Sequence, residues 1–110
     1  MATKHRTAVK KGHRQPNRKK ILSDVPKNQA FYCCDGQTLT NLVALANALQ
    51  QMSDEVYAYH ANGDKNDFYN WVADVVTDEE LAEELAETLD RRQAADLIAE
   101  RVAYLLSSEL

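Results

Sequence analysis

Apolar residues in this chain recur at the spacing of a helix over most of its length, and that period limits the fold more than any other feature. Phe68, Trp71, Val72 and Val75 stand at i, i+3, i+4 and i+7, a single stripe on a helix opened by Asn66-Asp67, and all four are expected in the core. Leu39, Leu42, Val43, Leu45, Ala46 and Leu49 repeat the pattern upstream, with Thr38 as the expected N-cap and Met52 near the end. Ser53, followed by Asp54 and Glu55, caps a shorter helix ending near Asn62-Gly63, because a hydroxyl accepts the free N–H groups and carboxylates suit the positive end of the dipole. Thr77-Asp78-Glu79-Glu80 has the spacing of a capping box before Leu81, Leu85 and Leu89. After a turn around Asp90, a last helix carries Ala94, Leu97, Ile98, Val102, Leu105 and Leu106.

The expectation is an all-α fold, a compact bundle of about five short helices. A short extended segment, Ala30 to Cys34, precedes them and is ended by the turn signal Asp35-Gly36. Only 3 glycines and 2 prolines occur in 110 residues, which disfavours a turn-rich β-sandwich, a collagen-like repeat and a low-complexity linker. The length suits one core, with Trp71 its largest anchor.

Charge divides the chain. Residues 1–28 hold Lys4, Arg6, Lys10, Lys11, Arg14, Arg18, Lys19, Lys20 and Lys27 against Asp24 alone, a net +8, whereas residues 29–110 carry −12. The first 20 residues offer only Met1, Ala2, Ala8 and Val9 as apolar groups, too few to offset the entropy of ordering them. The expected organisation is a basic, flexible, disordered N-terminal arm over 1–28 and a helical domain over 29–110. A flexible arm of 28 residues would span roughly 30 Å. Lys4, Arg6, Lys10, Lys11, Arg14, Arg18, Lys19 and Lys20 are the candidate nucleic-acid contacts, since ammonium and guanidinium groups bind phosphates without reading sequence. Two other readings are that the arm folds back on the acidic body, or that it meets anionic lipid, for which apolar wedges are missing before Leu22.

No stretch has the roughly 20 apolar residues of a membrane span, and no apolar run follows the basic start as a secretory signal requires. Gly12, Gln15, Pro16 and Asn17 interrupt the amphipathic face a mitochondrial leader needs. With two adjacent cysteines, Cys33 and Cys34, a disulfide framework is excluded and a reducing cytoplasm is expected.

The second candidate site is the polar run from His60 to Asp67, where His60, Asn62, Lys65, Asn66 and Asp67 gather between two helices as a partner-binding surface. The same run also reads as a capped helix-to-helix turn, with Asn66 or Asp67 as the cap. A calcium loop centred on Gly63 would put Ala58 first and Tyr69 twelfth, neither a suitable ligand. Adjacent cysteines lack zinc-site spacing, and strand geometry would point them to opposite faces with at least one buried. Glu79, Glu80, Glu83, Glu84 and Glu87 form a solvated helix face rather than a catalytic cluster, and no nucleophile elbow, triad or phosphate loop is present. No catalytic residue, metal or cofactor is therefore expected.

Phe31-Tyr32, Asp35-Gly36, Asn41-Leu42, His60, Asn62, Lys65-Asn66-Asp67-Phe68, Trp71, Val72, Asp74 and Leu81-Ala82 together make residues 31–102 resemble DUF5752, a family of small uncharacterised archaeal and bacterial domains. The resemblance implies a compact helical domain and assigns no catalytic residue. The expected function is a non-enzymatic interaction module tethered by its arm to nucleic acid or a ribonucleoprotein particle such as the ribosome. The alternative is a protein-binding regulatory adaptor acting through residues 60–67.

Overall fold

The computed structural model describes residues 17–88 and 90–107. Six α-helices occur among the described residues: α1 (Arg18–Leu22), α2 (Leu42–Gln51), α3 (Asp54–His60), α4 (Asp67–Trp71), α5 (Glu79–Leu85) and α6 (Arg91–Ser107). The fold is mostly helical but not purely so. A turn at Asp35-Gly36, with Gly36 at φ +101°, folds strand β1 (Phe31–Tyr32) onto β2 (Thr38–Leu39) as an antiparallel pair, Phe31 opposite Leu39 and Tyr32 opposite Thr38. Thr38 is therefore a strand residue. Asn41 caps α2 instead, its Oδ1 accepting the Ala44 N–H at 2.7 Å.

The sixth helix is α1, which lies inside the segment expected to be a flexible arm. Residues 17–28 are instead joined to the body. Asn17 caps α1, Ile21 is 3% exposed within the core, the Val25 N–H donates to Thr40 O at 2.8 Å, and Asn41 Nδ2 donates to Asp24 Oδ1 at 2.6 Å. Ile21 and Leu22 provide apolar area that residues 1–20 lack, so ordering the chain here is offset by burial.

The longest helices, α2 and α6, pack on each other, contributing Leu42, Leu45 and Leu49 from one side and Ala94, Ile98 and Leu105 from the other. Phe68, Trp71 and Val72 are buried as expected, with Phe68 the largest fully buried side chain. The Trp71 indole N–H donates to Gln29 O at 2.7 Å, which satisfies the ring's polar edge. Val75 is only half-buried, and Val76 takes the inner position. Val72–Val76 form a π-helical turn, closed by Thr77 N–H on Val72 O at 2.8 Å. Val76, four positions after Val72, lies on the same face as it.

Thr77 ends that turn in the left-handed conformation, φ 66°, so it does not form the expected capping box. The cap moves one residue on: Asp78 Oδ1 accepts the Leu81 N–H at 3.2 Å. Leu81 and Leu85 are buried, whereas Leu89 lies outside the described residues. Leu106, expected in the apolar stripe of the last helix, is 57% exposed: its neighbour Leu105 takes the buried face, and a residue one step on is turned about 100° away from it.

Asp78 is also one half of a buried ion pair. Its carboxylate accepts from Arg101 Nε at 2.7 Å and from Nη2 at 2.9 Å, with Arg101 reaching Glu80 at 3.3 Å as well. Burial opposes the charge on Arg101, but the Asp78 carboxylate outweighs that and raises the guanidinium pKa. Removing the cation strands a carboxylate that is almost fully buried. Arg101→Met is expected to lower unfolding free energy by about 3–5 kcal/mol in urea titration.

Candidate functional site

The His60–Asp67 segment connects α3 to α4, and its shape follows from local hydrogen bonds. Asn62 Oδ1 accepts from the N–H groups of Asp64 (2.8 Å) and Lys65 (3.3 Å), while Asn62 Nδ2 donates to Ala58 O at 2.9 Å. The Asn62 N–H donates to Lys65 O at 2.8 Å, and Ala61 and Asn66 form an isolated antiparallel bridge. Asn66 Oδ1 then accepts the Tyr69 N–H at 3.0 Å, the N-cap of α4 anticipated from the sequence.

His60 is the buried member, 4% exposed among the rings of Phe31, Tyr59 and Phe68 at 5.0, 5.0 and 5.5 Å. Its Nε2 lies 3.0 Å from the backbone nitrogen of Cys34 and its Nδ1 lies 2.9 Å from Asp67 Oδ2. A backbone N–H can only donate, so Nε2 is the acceptor. In the neutral ring the proton then resides on Nδ1 and is donated to Asp67. Both ring nitrogens are thus engaged within the protein, and the imidazole clamps the β1–β2 turn to α4.

Asp67 Oδ2 also receives the Lys65 ammonium at 3.0 Å, and that ammonium stands 4.6 Å over the Tyr59 ring. Burial pushes the Asp67 carboxyl up, but hydrogen bonds from His60 and Lys65, with their charges, outweigh it and hold the carboxyl below its ordinary value. The structure therefore brings His60, Lys65 and Asp67 into one cluster. Asn62 and Asn66 shape the loop beside it, where an open depression of about 420 Å³ is lined by Tyr57, Asn62, Lys65, Asn66 and Thr88.

Cys33 is buried and Cys34 exposed, the opposite orientation expected of neighbours on a strand. Burial raises the Cys33 thiol pKa, and its neighbour Asp35 is held low by hydrogen bonds from Gln37. Among the described residues, no group of three or more His, Cys, Asp or Glu side chains is placed to hold a metal. No described helix is long and apolar enough to cross a membrane.

Of the basic candidates, Arg18, Lys19 and Lys20 lie on α1, with Arg18 half-buried and both lysines exposed. Lys4, Arg6, Lys10, Lys11 and Arg14 lie outside the described residues. Sequence reasoning missed the link between His60 and the Cys34 backbone, 26 positions away, because no local periodicity signals it. Comparison of the chain with protein-family models, curated proteins and solved structures gives no match.

Two outcomes test this geometry. His60→Phe keeps the ring packing but removes the acceptor from the Cys34 N–H, and should cost about 1–3 kcal/mol in chemical denaturation. A carboxyl with a depressed folded pKa contributes stability above the ordinary carboxylate pKa, and the contribution disappears as pH falls through the folded value. Asp67→Asn should therefore flatten the loss of stability on acidification below about pH 4, measured as Tm against pH.

Proposed function

We propose that this protein is a non-enzymatic, cytoplasmic binding module. Its basic N-terminal segment tethers a helical body to a polyanion, namely nucleic acid or a ribonucleoprotein particle such as the ribosome. The observation that carries this reading is the charge partition: residues 1–16 include five basic residues and no acidic one, whereas the body from Gln29 onward is strongly acidic. The anchoring of α1 through Ile21 supports it, because it holds the exposed Lys19 and Lys20, which continue the basic sequence, on the surface of the body. The internal use of both His60 nitrogens also favours binding over acid–base chemistry, which needs a group open to substrate.

The open depression lined by Asn62, Lys65 and Asn66 favours a second reading, a protein-interaction adaptor acting through the surface around residues 60–67, with His60 and Asp67 holding that surface in shape. Exchanging Lys65 would weaken such a partner and leave polyanion binding intact.

If about six phosphates are neutralised, affinity for nucleic acid should fall roughly a thousandfold between 50 and 200 mM salt. Deleting residues 1–16, which keeps Ile21 and the packed α1, should abolish that binding with an unchanged circular dichroism spectrum. Binding that is insensitive to salt, or that survives the deletion, would overturn the proposal.

A further inference from the structure

We infer that Tyr32 is a stacking platform for an unpaired base, so that the polyanion is single-stranded nucleic acid; this rests on the polyanion reading above and deepens it. The two-stranded sheet has unlike faces. Phe31, Cys33 and Leu39 point into the core, while Tyr32 and Thr38 face outward as a cross-strand pair. Tyr32 is 60% exposed, yet it is tethered: its hydroxyl donates to Lys27 O at 2.6 Å. Bonding at the hydroxyl end leaves the ring as the exposed part and restricts its torsions before any ligand arrives, which lowers the ordering cost of stacking.

The other strongly exposed tyrosines are differently placed. Tyr59 has the Lys65 ammonium 4.6 Å over its ring, and Tyr104 has the Arg101 guanidinium at 5.5 Å. Trp71, Phe31 and Phe68 are buried.

A basic residue stands at the hydroxyl end of Tyr32, and others precede it in the chain. The chain that receives its hydroxyl is Lys27, an exposed residue of the 3-10 turn Lys27–Gln29, and Lys19 and Lys20 are exposed on α1 just upstream. From Lys20 to Lys27 the chain extends at most about 25 Å, the span of a few nucleotides. Two carboxylates lie nearby in the chain: Asp24 bonds Thr40 and Asn41 of the body, and Asp35 in the β1–β2 turn bonds Gln37, so each is held by a neighbour within the protein while the lysine side chains extend to solvent. Basic groups followed by an exposed aromatic face are the elements of sequence-tolerant single-strand binding, in which phosphates are neutralised while bases stack. A duplex keeps its base faces covered and offers Tyr32 no comparable contact.

The test is fluorescence anisotropy with a single-stranded RNA and a single-stranded DNA of about 12 nucleotides, and with the corresponding blunt duplex, against the full chain. Tyr32→Ala is expected to weaken single-strand binding roughly 5- to 150-fold while leaving duplex affinity and the salt slope unchanged. Tyr32→Phe keeps the ring and should retain most of the affinity, and circular dichroism verifies that both variants are folded. Loss confined to RNA or to DNA supports the platform and identifies the sugar it accepts. Equal single-strand affinity for Tyr32→Ala and the parent chain, or equal losses on single strand and duplex, would reject the platform while leaving the polyanion reading in place. No binding of the parent chain to any of these probes would reject both.

Discussion

A buried imidazole between two partners of fixed direction organises this protein. His60 lies among aromatic rings, where an unmet ring nitrogen would be costly, and its two ring nitrogens are met by the Cys34 N–H and the Asp67 carboxylate. One belongs to the strand-turn segment and the other opens α4. The bond to each can form only when β1, α3 and α4 are assembled, so a single side chain links three elements that are separate in sequence. Phe31 and Phe68, stacked at 5.0 Å, complete the same junction from the apolar side.

Helices as short as α1 and α4, five residues each, are not stable in isolation. They persist because their ends are capped and their inner faces are covered. Arg91 illustrates how the long helices participate: from the first turn of α6 it donates to Leu49 O at 2.8 Å and to Gln50 O at 3.2 Å, and it pairs with Asp54 at 2.9 Å. One guanidinium thereby satisfies carbonyls at the end of α2 and meets the start of α3. The Asp78–Arg101 pair does the corresponding work between α5 and α6, with Asp78 capping its own helix at the same time. These polar ties set how the helices are arranged; the apolar stripes supply the burial.

The electrostatic asymmetry has a structural counterpart. A junction that was merely a basic linker would leave the positive segment independent of the body. Burying Ile21, holding Asp24 against Asn41 and bonding the Tyr32 hydroxyl to Lys27 O instead join residues 17–28 to the body. The functional proposals follow from that placement, not from a reactive group.

What the sequence determined was local. Ser53, Asn66 and the helical stripe of Phe68, Trp71 and Val72 were legible because a cap bonds within three residues and a buried face repeats within one turn. The polar run at residues 60–67 was legible as a turn for the same reason. Tertiary structure decided the rest. His60 is buried only because Cys34 is brought to it; Arg101 gains its importance from a carboxylate 23 positions earlier; the strand at Thr38 exists only because Gly36 permits the reversal. The burial of Val76, and the packing that draws Ile21 out of a basic segment, likewise depend on contacts between distant elements. Such contacts leave no periodic trace in the chain, since their geometry is set by packing and not by neighbours in sequence.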